Sequence, residues 1–257
     1  MATSWDAPTY DVSSAPQQAW GAEVLARLSG ISPGATILDV GCGTGRVTEA
    51  LLALVPQGRV LAIDASAEMV ALARARLGDR AEVWRQDVLD LELAEPVDVI
   101  VSTAALHWVP DHDRMWAQLR RALRPAGVLE VQCGGAGNIA RVREVIESVV
   151  DHAFPDLAGW SPWVFATPED TVQRLRQVGF TSIRCWLEHR PTYPRDVETF
   201  VRTSILAAHL ARVPEQRRER FTAAVLAGVR PPLDYVRLNV SAVRAVDPSV
   251  TPDPTTC

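Results

Sequence analysis

The sequence predicts a doubly wound α/β domain around a mostly parallel seven-stranded sheet, and three features predict it. From about residue 35, short β-branched runs alternate with helical patterns four times over. The first run ends in a glycine-rich turn that opens a helix, the kind of join at which open α/β sheets bind ligands. Two further strand patterns follow later in the chain, and no linker of altered composition divides them from the first five.

In chain order, Thr36-Ile37-Leu38-Asp39-Val40 reads as a buried strand, followed by a helix with Val47, Leu51, Leu54 and Val55 on one face. Val60-Leu61-Ala62-Ile63 is the second strand. Ser66 is placed as the N-cap of a helix through Leu77, with Glu68 in its first turn. A third strand (Ala81 to Arg85), a fourth (Val97 to Thr103), a helix (Asp111 to Leu123) and a fifth strand (Val128 to Gln132) complete right-handed βαβ units covered on both faces. Asn138 to Ala153 carries Val142, Val145, Ile146, Val149 and Val150 in the stripe of a helix packed on one side. The Pro- and Trp-bearing stretch Phe154 to Pro168 reads as a structured loop, Glu169 to Val178 as a helix stopped by Gly179, and Phe180 to Glu188 as a strand. Two helices divided near Pro214 are expected over Arg195 to Gly228, then a final strand over Leu233 to Val243. Residues 247–257, with three prolines, read as a frayed tail.

Composition removes several function classes. No lysine occurs among the 257 residues, so all 26 basic side chains are arginine. Schiff-base and pyridoxal phosphate catalysis, Walker-type phosphate loops and kinases all use a lysine and are excluded. A formal charge of −5, without a run of five like charges, argues against a groove tracking nucleic-acid phosphates. The cysteines at 42, 133, 185 and 257 have no CxxC or Cys/His ligand spacing, which speaks against structural zinc or a disulfide scaffold and fits a reducing, cytoplasmic setting. The longest uncharged runs are 12 residues, short of the roughly 20 apolar residues that span a membrane, and the N-terminus lacks a signal-peptide pattern.

The strongest motif is Leu38-Asp39-Val40-Gly41-Cys42-Gly43-Thr44-Gly45, in which three alternating glycines run from a strand into a helix. A dinucleotide fingerprint would put its third glycine at position 46, which is arginine here. Asp64 ends the second strand, where a carboxylate can accept two hydrogen bonds from a ribose diol, and Asp87 follows the third, within reach of an adenine amino group. Three carboxylates at the carboxyl ends of successive strands would repel a pyrophosphate. They suit a cofactor that is cationic and carries no phosphate.

At these residues the chain resembles the Rossmann-like, class I S-adenosylmethionine-dependent methyltransferases, over about Trp5 to Ala245. The resemblance implies that Asp39 helps bind the cofactor's amino group and that Gly41, Gly43 and Gly45 lie against the cofactor. It places Asp64 and Ala65 at the ribose and Asp87 and Val88 at the adenine, with Ser102 and Gln17 completing the set. It also implies S-adenosylhomocysteine as product and no metal. Leu123-Arg124-Pro125-Ala126-Gly127 is similar to the family's LxPGG turn, departing by alanine at 126.

A closer likeness is to trans-aconitate and related carboxyl methyltransferases. Trp5-Asp6-Ala7-Pro8-Thr9-Tyr10 resembles their W-x-P-x-x-Y segment, and Leu106-His107-Trp108-Val109-Pro110-Asp111-His112 their L-Q-W-L-P-D-H, with histidine for glutamine at 107. An arginine stands in those enzymes where this chain has Gln17. The likeness implies one domain over 1–246, with an N-terminal helical lid (1–30), a cofactor-binding core (35–135), and substrate-lid helices inserted late in the chain with strand six (138–230). It implies methyl transfer to a small molecule, a carboxylate oxygen being favoured, by a monomer or homodimer that engages neither nucleic acid nor membrane. An O- or C-methyltransferase of a secondary metabolite with His107 as base, and a non-catalytic cofactor-binding regulatory protein, are the alternatives.

Several residues carry two readings. His107 is either the catalytic base or a hydrogen-bonding residue, since a carboxylate attacks without a base while an alcohol, phenol or carbon acid needs one. Trp108 either walls the substrate pocket or packs. Tyr10 and Gln18 are candidate substrate contacts from the lid, and Asn138 is either a helix cap or a substrate ligand. Trp160, Trp163 and Phe165 divide between substrate contact and core, Cys133 reads as a small buried residue, and Arg212, Arg217, Arg218 and Arg220 as a solvated helix face.

Overall fold

The computed structural model of the protein describes residues 7, 9, 11, 15–28 and 30–246. The tail expected over 247–257 lies outside them. Strands β1 (Thr36–Val40), β2 (Arg59–Asp64), β3 (Glu82–Arg85), β4 (Val97–Thr103), β5 (Leu123–Gly134), β6 (Phe180–Thr192) and β7 (Leu233–Arg244) form one sheet in the order β3-β2-β1-β4-β5-β7-β6. The first five pair in parallel, and β7 runs antiparallel to both β5 and β6. The strand order reverses between β1 and β4, which opens a crevice at their carboxyl ends.

Neighbouring residues of β1 serve opposite faces because strand side chains alternate. Leu38 and Val40 pack with Ile63, Ile100 and Val131 against Met115, Trp116 and Leu119 of α4 (His112–Ala122). Ile37 packs with Val60, Val99 and Val101 against Val24 and Leu28 and against Leu51 of α2 (Arg46–Leu52). Val24 belongs to α1 (Ala15–Ala26), so the N-terminal helix is part of the sheet's second covering layer. α3 (Ala67–Leu77) is capped as expected, Ser66 Oγ accepting from Met69 N at 3.2 Å. Asp111 accepts from Arg114 N at 2.9 Å at the start of α4.

The later helices are α5 (Ala140–Ala153), α6 (Pro168–Gln177), α7 (Val197–Phe200), α8 (Ala207–Arg212) and α9 (Glu215–Gly228). They bury a separate core of Ile146, Val150, Phe154, Phe200, Ile205, Phe221 and Val225. The expected first helix of the 195–228 pair is broken: a π turn over Val201–Ile205, with Leu206 N bonded to Val201 O at 2.8 Å, separates α7 from α8. Pro214 stands immediately before α9, where its missing N–H costs no helical bond.

β5 starts at Leu123, five residues before the expected Val128. The Leu123-Gly127 turn is taken up as a shift in register, Val97 pairing with Leu123 and Val99 with Val128. Ala126 has φ 63 there, the left-handed conformation that the glycine of the LxPGG pattern supplies without strain. Among the described residues, no helix is long and apolar enough to cross a membrane.

Candidate active site

The glycine loop is bent by hydrogen bonds that the strand order dictates. Gly41 N and Cys42 N both donate to Ile63 O, at 2.8 and 3.0 Å, drawing the end of β1 across the end of β2. Gly41 has φ 73, and a Cβ on it would collide with the Cβ of Ala105 in the loop after β4. Gly43 has φ 53, and among the described residues nothing lies within 4 Å of an added Cβ.

Two carboxylates hold the loop from below. Asp64 accepts from Gly43 N through Oδ2 and from Ser66 N through Oδ1, both at 2.9 Å. Burial raises its pKa above the usual carboxylate value, against the pull of these N–H groups. Asp39 Oδ2 accepts from Thr48 Oγ1 at 2.7 Å, whereas Asp39 Oδ1 is buried with no partner. Burial first, and then the negative charge of Asp64, push Asp39 up to about 7 despite the Thr48 bond. A buried carboxylate oxygen without a donor is expensive unless a ligand supplies one.

Asp87 is exposed and turns one oxygen to Leu89 N at 3.0 Å, and Val88 is buried beside it. Ala65 O takes a hydrogen bond from Arg85 Nε at 3.0 Å. Ser102 corrects the expectation: it has no exposed surface and its hydroxyl donates to Val40 O at 2.7 Å, so it ties β4 to β1 rather than facing the loop. Tyr10 lies outside the described residues, as do the side chains of Gln17 and Gln18, whose backbone is in α1.

In the loop after β4, His107 is buried and its Nδ1 lies 3.3 Å from Gly134 N. An Nδ1 that accepts from a backbone N–H leaves the ring proton on Nε2. Burial, reinforced by the charge of Arg237, lowers its pKa well below 6.5. With Nδ1 engaged by Gly134 N–H, this geometry fits the hydrogen-bonding reading of His107. Its ring stacks on Phe165 at 5.7 Å, Phe165 stacks on Trp163 at 5.6 Å, and Trp108 lies 5.3 Å from His107. Asn138 caps nothing: its Oδ1 accepts from Val236 N at 2.9 Å, fastening the turn after β5 to β7, and the helix begins after Ile139 without a side-chain cap. Cys133 is buried and its thiol is pushed up to about 11, in keeping with a core residue. Of the four arginines read as a solvated face, Arg212 lies over Trp160 and Arg217 over Phe154, shielding ring surface.

One cluster was not legible in the sequence. Asp11 hydrogen-bonds Thr44 Oγ1, Arg46 Nε (2.7 Å) and Arg76 Nη2 (2.9 Å), which lowers its pKa to about 2. Arg46, the residue that broke the dinucleotide fingerprint, thus clasps the N-terminal segment over the glycine loop. The departure at 46 was visible, but its partner 35 residues away was not.

Residues 37–127 match a family model described as a methyltransferase domain. A trans-aconitate 2-methyltransferase from Methylobacterium nodulans is 31% identical over 183 residues, covering 71% of this chain and 67% of that one. The chain belongs to the S-adenosylmethionine-dependent methyltransferases. The trans-aconitate 2-methyltransferase of Azoarcus sp. (strain BH72) is 37% identical over 129 residues, and against it and others of that name this methyltransferase spans about half the relative's length. Its fold is that of Haemonchus contortus phosphoethanolamine N-methyltransferase 2, solved with phosphomonomethylethanolamine and S-adenosylhomocysteine. The TM-score is 0.58 at 18% identity over 89% of this chain and 53% of that one. The residues present fit the family's cofactor: the orphaned Asp39 Oδ1, the room at Gly43 among the described residues and the absence of any lysine suit a cationic ligand without phosphate.

Proposed function

We propose that the protein transfers the methyl group of S-adenosylmethionine to a carboxylate oxygen of a small acid of the trans-aconitate kind, in the cytoplasm and as a monomer or homodimer. The observation that carries this reading is His107. Its Nδ1 is engaged by Gly134 N–H, so the neutral ring carries its proton on Nε2 and keeps no free lone pair for a base. An alcohol, phenol or carbon acid has a proton to lose, whereas a carboxylate arrives already ionised. The names of the two bacterial relatives support the same acceptor.

When bound, S-adenosylmethionine supplies a methyl group on positively charged sulfur, open to in-line displacement. The chain's contribution is positioning. Asp39 Oδ1 accepts from the amino group, Asp64 receives the ribose diol, and Asp87 takes the adenine amino group. The backbone at Gly43 borders the cofactor's open side. His107, Phe165 and Trp108 wall the acceptor and keep water out.

Incubation with methyl-labelled cofactor and a panel of acids and phenols is expected to yield a labelled, base-labile methyl ester; a labelled ether or carbon–methyl product overturns the reading. His107→Gln, which restores the glutamine of the aconitate enzymes, should keep kcat within about threefold. A fall in kcat of about 100-fold or more in His107→Gln would restore His107 as base.

Asp39 gives a second dependence. At a pKa of about 7 it is partly protonated in the free protein, and an ammonium group binds its ionised form. Affinity for S-adenosylhomocysteine should rise from about pH 5.5 to 7.5, approaching tenfold per unit at the acid end, with release of a proton. Calorimetry in buffers of different ionisation enthalpy counts that proton, and Asp39→Asn should abolish both slope and release. The sign for stability is opposite. An acid whose pKa is raised by folding favours the fold below its unfolded pKa, and that stability is lost as pH climbs toward about 7.

A further inference from the structure

One face of the β5–β7 pair carries polar side chains where a helix-covered sheet ordinarily carries apolar ones. In register across the two strands stand Glu130 with Ser241, Gln132 with Asn239, and Gly134 with Arg237. The first pair closes on itself, Ser241 Oγ donating to Glu130 Oε2 at 2.8 Å. In the second, Gln132 Nε2 donates to Asn239 Oδ1 at 2.9 Å, and this leaves Asn239 Nδ2 and Gln132 Oε1 buried without partners. Both residues are at least 98% buried. Arg237 ends the row at 2% exposure, its guanidinium 4.6 Å from the ring of Trp20 on α1.

The row leads to the reaction site. Arg237 pairs with Gly134, the last residue of β5, whose N–H meets His107. Arg237 is therefore at the carboxyl edge of the sheet, close enough for its charge to help keep His107 deprotonated. A guanidinium presents a fork of donors that matches a carboxylate, and in a chain without lysine this task falls to arginine. Asn239 follows two residues later on the same face, with Nδ2 as a further donor whose amide is fixed by Gln132.

We propose that Arg237, with Asn239 beside it, is the subsite for a carboxylate of the acceptor that is not methylated, which makes the enzyme selective for di- and tricarboxylic acids. Gln132 is a positioning residue for Asn239. This inference rests on the carboxylate reading given above and adds to it where the spectator charge is held.

The test uses the full chain saturated with S-adenosylhomocysteine, titrated calorimetrically with trans-aconitate and, for comparison, with the monocarboxylate crotonate. The unmodified protein should bind trans-aconitate at least about 30-fold more tightly than crotonate. Arg237→Gln should remove about 30-fold or more of the trans-aconitate affinity while crotonate and S-adenosylhomocysteine binding stay within about twofold. If the glutamine variant does not fold, Arg237→Lys keeps the charge and loses the fork; trans-aconitate affinity should then fall about tenfold, with crotonate unchanged. Equal trans-aconitate affinity in the unmodified and variant proteins overturns the subsite and leaves carboxyl methylation standing. Binding of S-adenosylhomocysteine with no binding of either acid overturns both.

Discussion

Asp64→Ala is expected to weaken S-adenosylhomocysteine binding by at least about 100-fold, read by calorimetry on protein whose far-ultraviolet spectrum is unchanged. The carboxylate holds the N–H groups of Gly43 and Ser66, so its removal leaves two donors unsatisfied beneath the loop that borders the cofactor. Each buried donor left without a partner costs about 1–3 kcal/mol. That cost falls on the free and the bound protein alike; the loss of affinity comes from the two charge-assisted hydrogen bonds proposed to the ribose diol, about 1.5–3 kcal/mol each, against the roughly 2.7 kcal/mol that a factor of 100 represents. Asp64→Asn keeps the shape and one acceptor oxygen, and should fall between the two. A loss under about fivefold for the alanine variant would remove Asp64 from the cofactor site.

Gly41→Val is expected to abolish cofactor binding and lower stability by about 2–5 kcal/mol, combining strain at positive φ with overpacking. Neither side of the collision can yield easily. Gly41 and Cys42 are both bonded to Ile63 O, and Ala104, beside the colliding Ala105, donates to Gln132 O at 2.7 Å. Gly43→Ala is the informative contrast. Its Cβ meets nothing among the described residues, so stability should fall by only about 1 kcal/mol, while the methyl group enters the space proposed for the cofactor. Thermal denaturation and S-adenosylhomocysteine titration of the pair separate folding from binding. Equal affinity of Gly43→Ala and the unmodified protein would show that the cofactor does not lie against that residue.

What the sequence made legible follows from how local the causes are. β1 and β4 occupy the residues expected of them, and β2, β3 and the capped start of α3 fall within one or two, because burial on both faces writes itself as continuous β-branched runs. The carboxylates at 39, 64 and 87 were readable for the same reason, each standing at or near a strand end. Arg237 was not. Its meaning depends on β7 running antiparallel beside β5, which places a residue 103 positions away opposite Gly134. His107 was found with both of its readings open, and the contact that bears on them, Gly134 N–H at Nδ1, is one no spacing announces. The π turn at 201–205 and the clasp of Asp11 belong with these, being products of packing between distant segments.

The reversed direction of β7 also governs how such a chain can change. Because β6 ends and β7 begins on the same edge, with Thr192 paired to Leu233, residues 193–232 leave the sheet and re-enter it at adjacent points. The excursion closes on itself, so helices α7, α8 and α9 can change in length without moving a strand out of register, provided the core they share with α5 and with Tyr235 of β7 is refilled. That core also takes in Trp20 of α1, so a change in these helices reaches the N-terminal helix. Insertions are therefore least disruptive to the sheet at one address, between two paired residues.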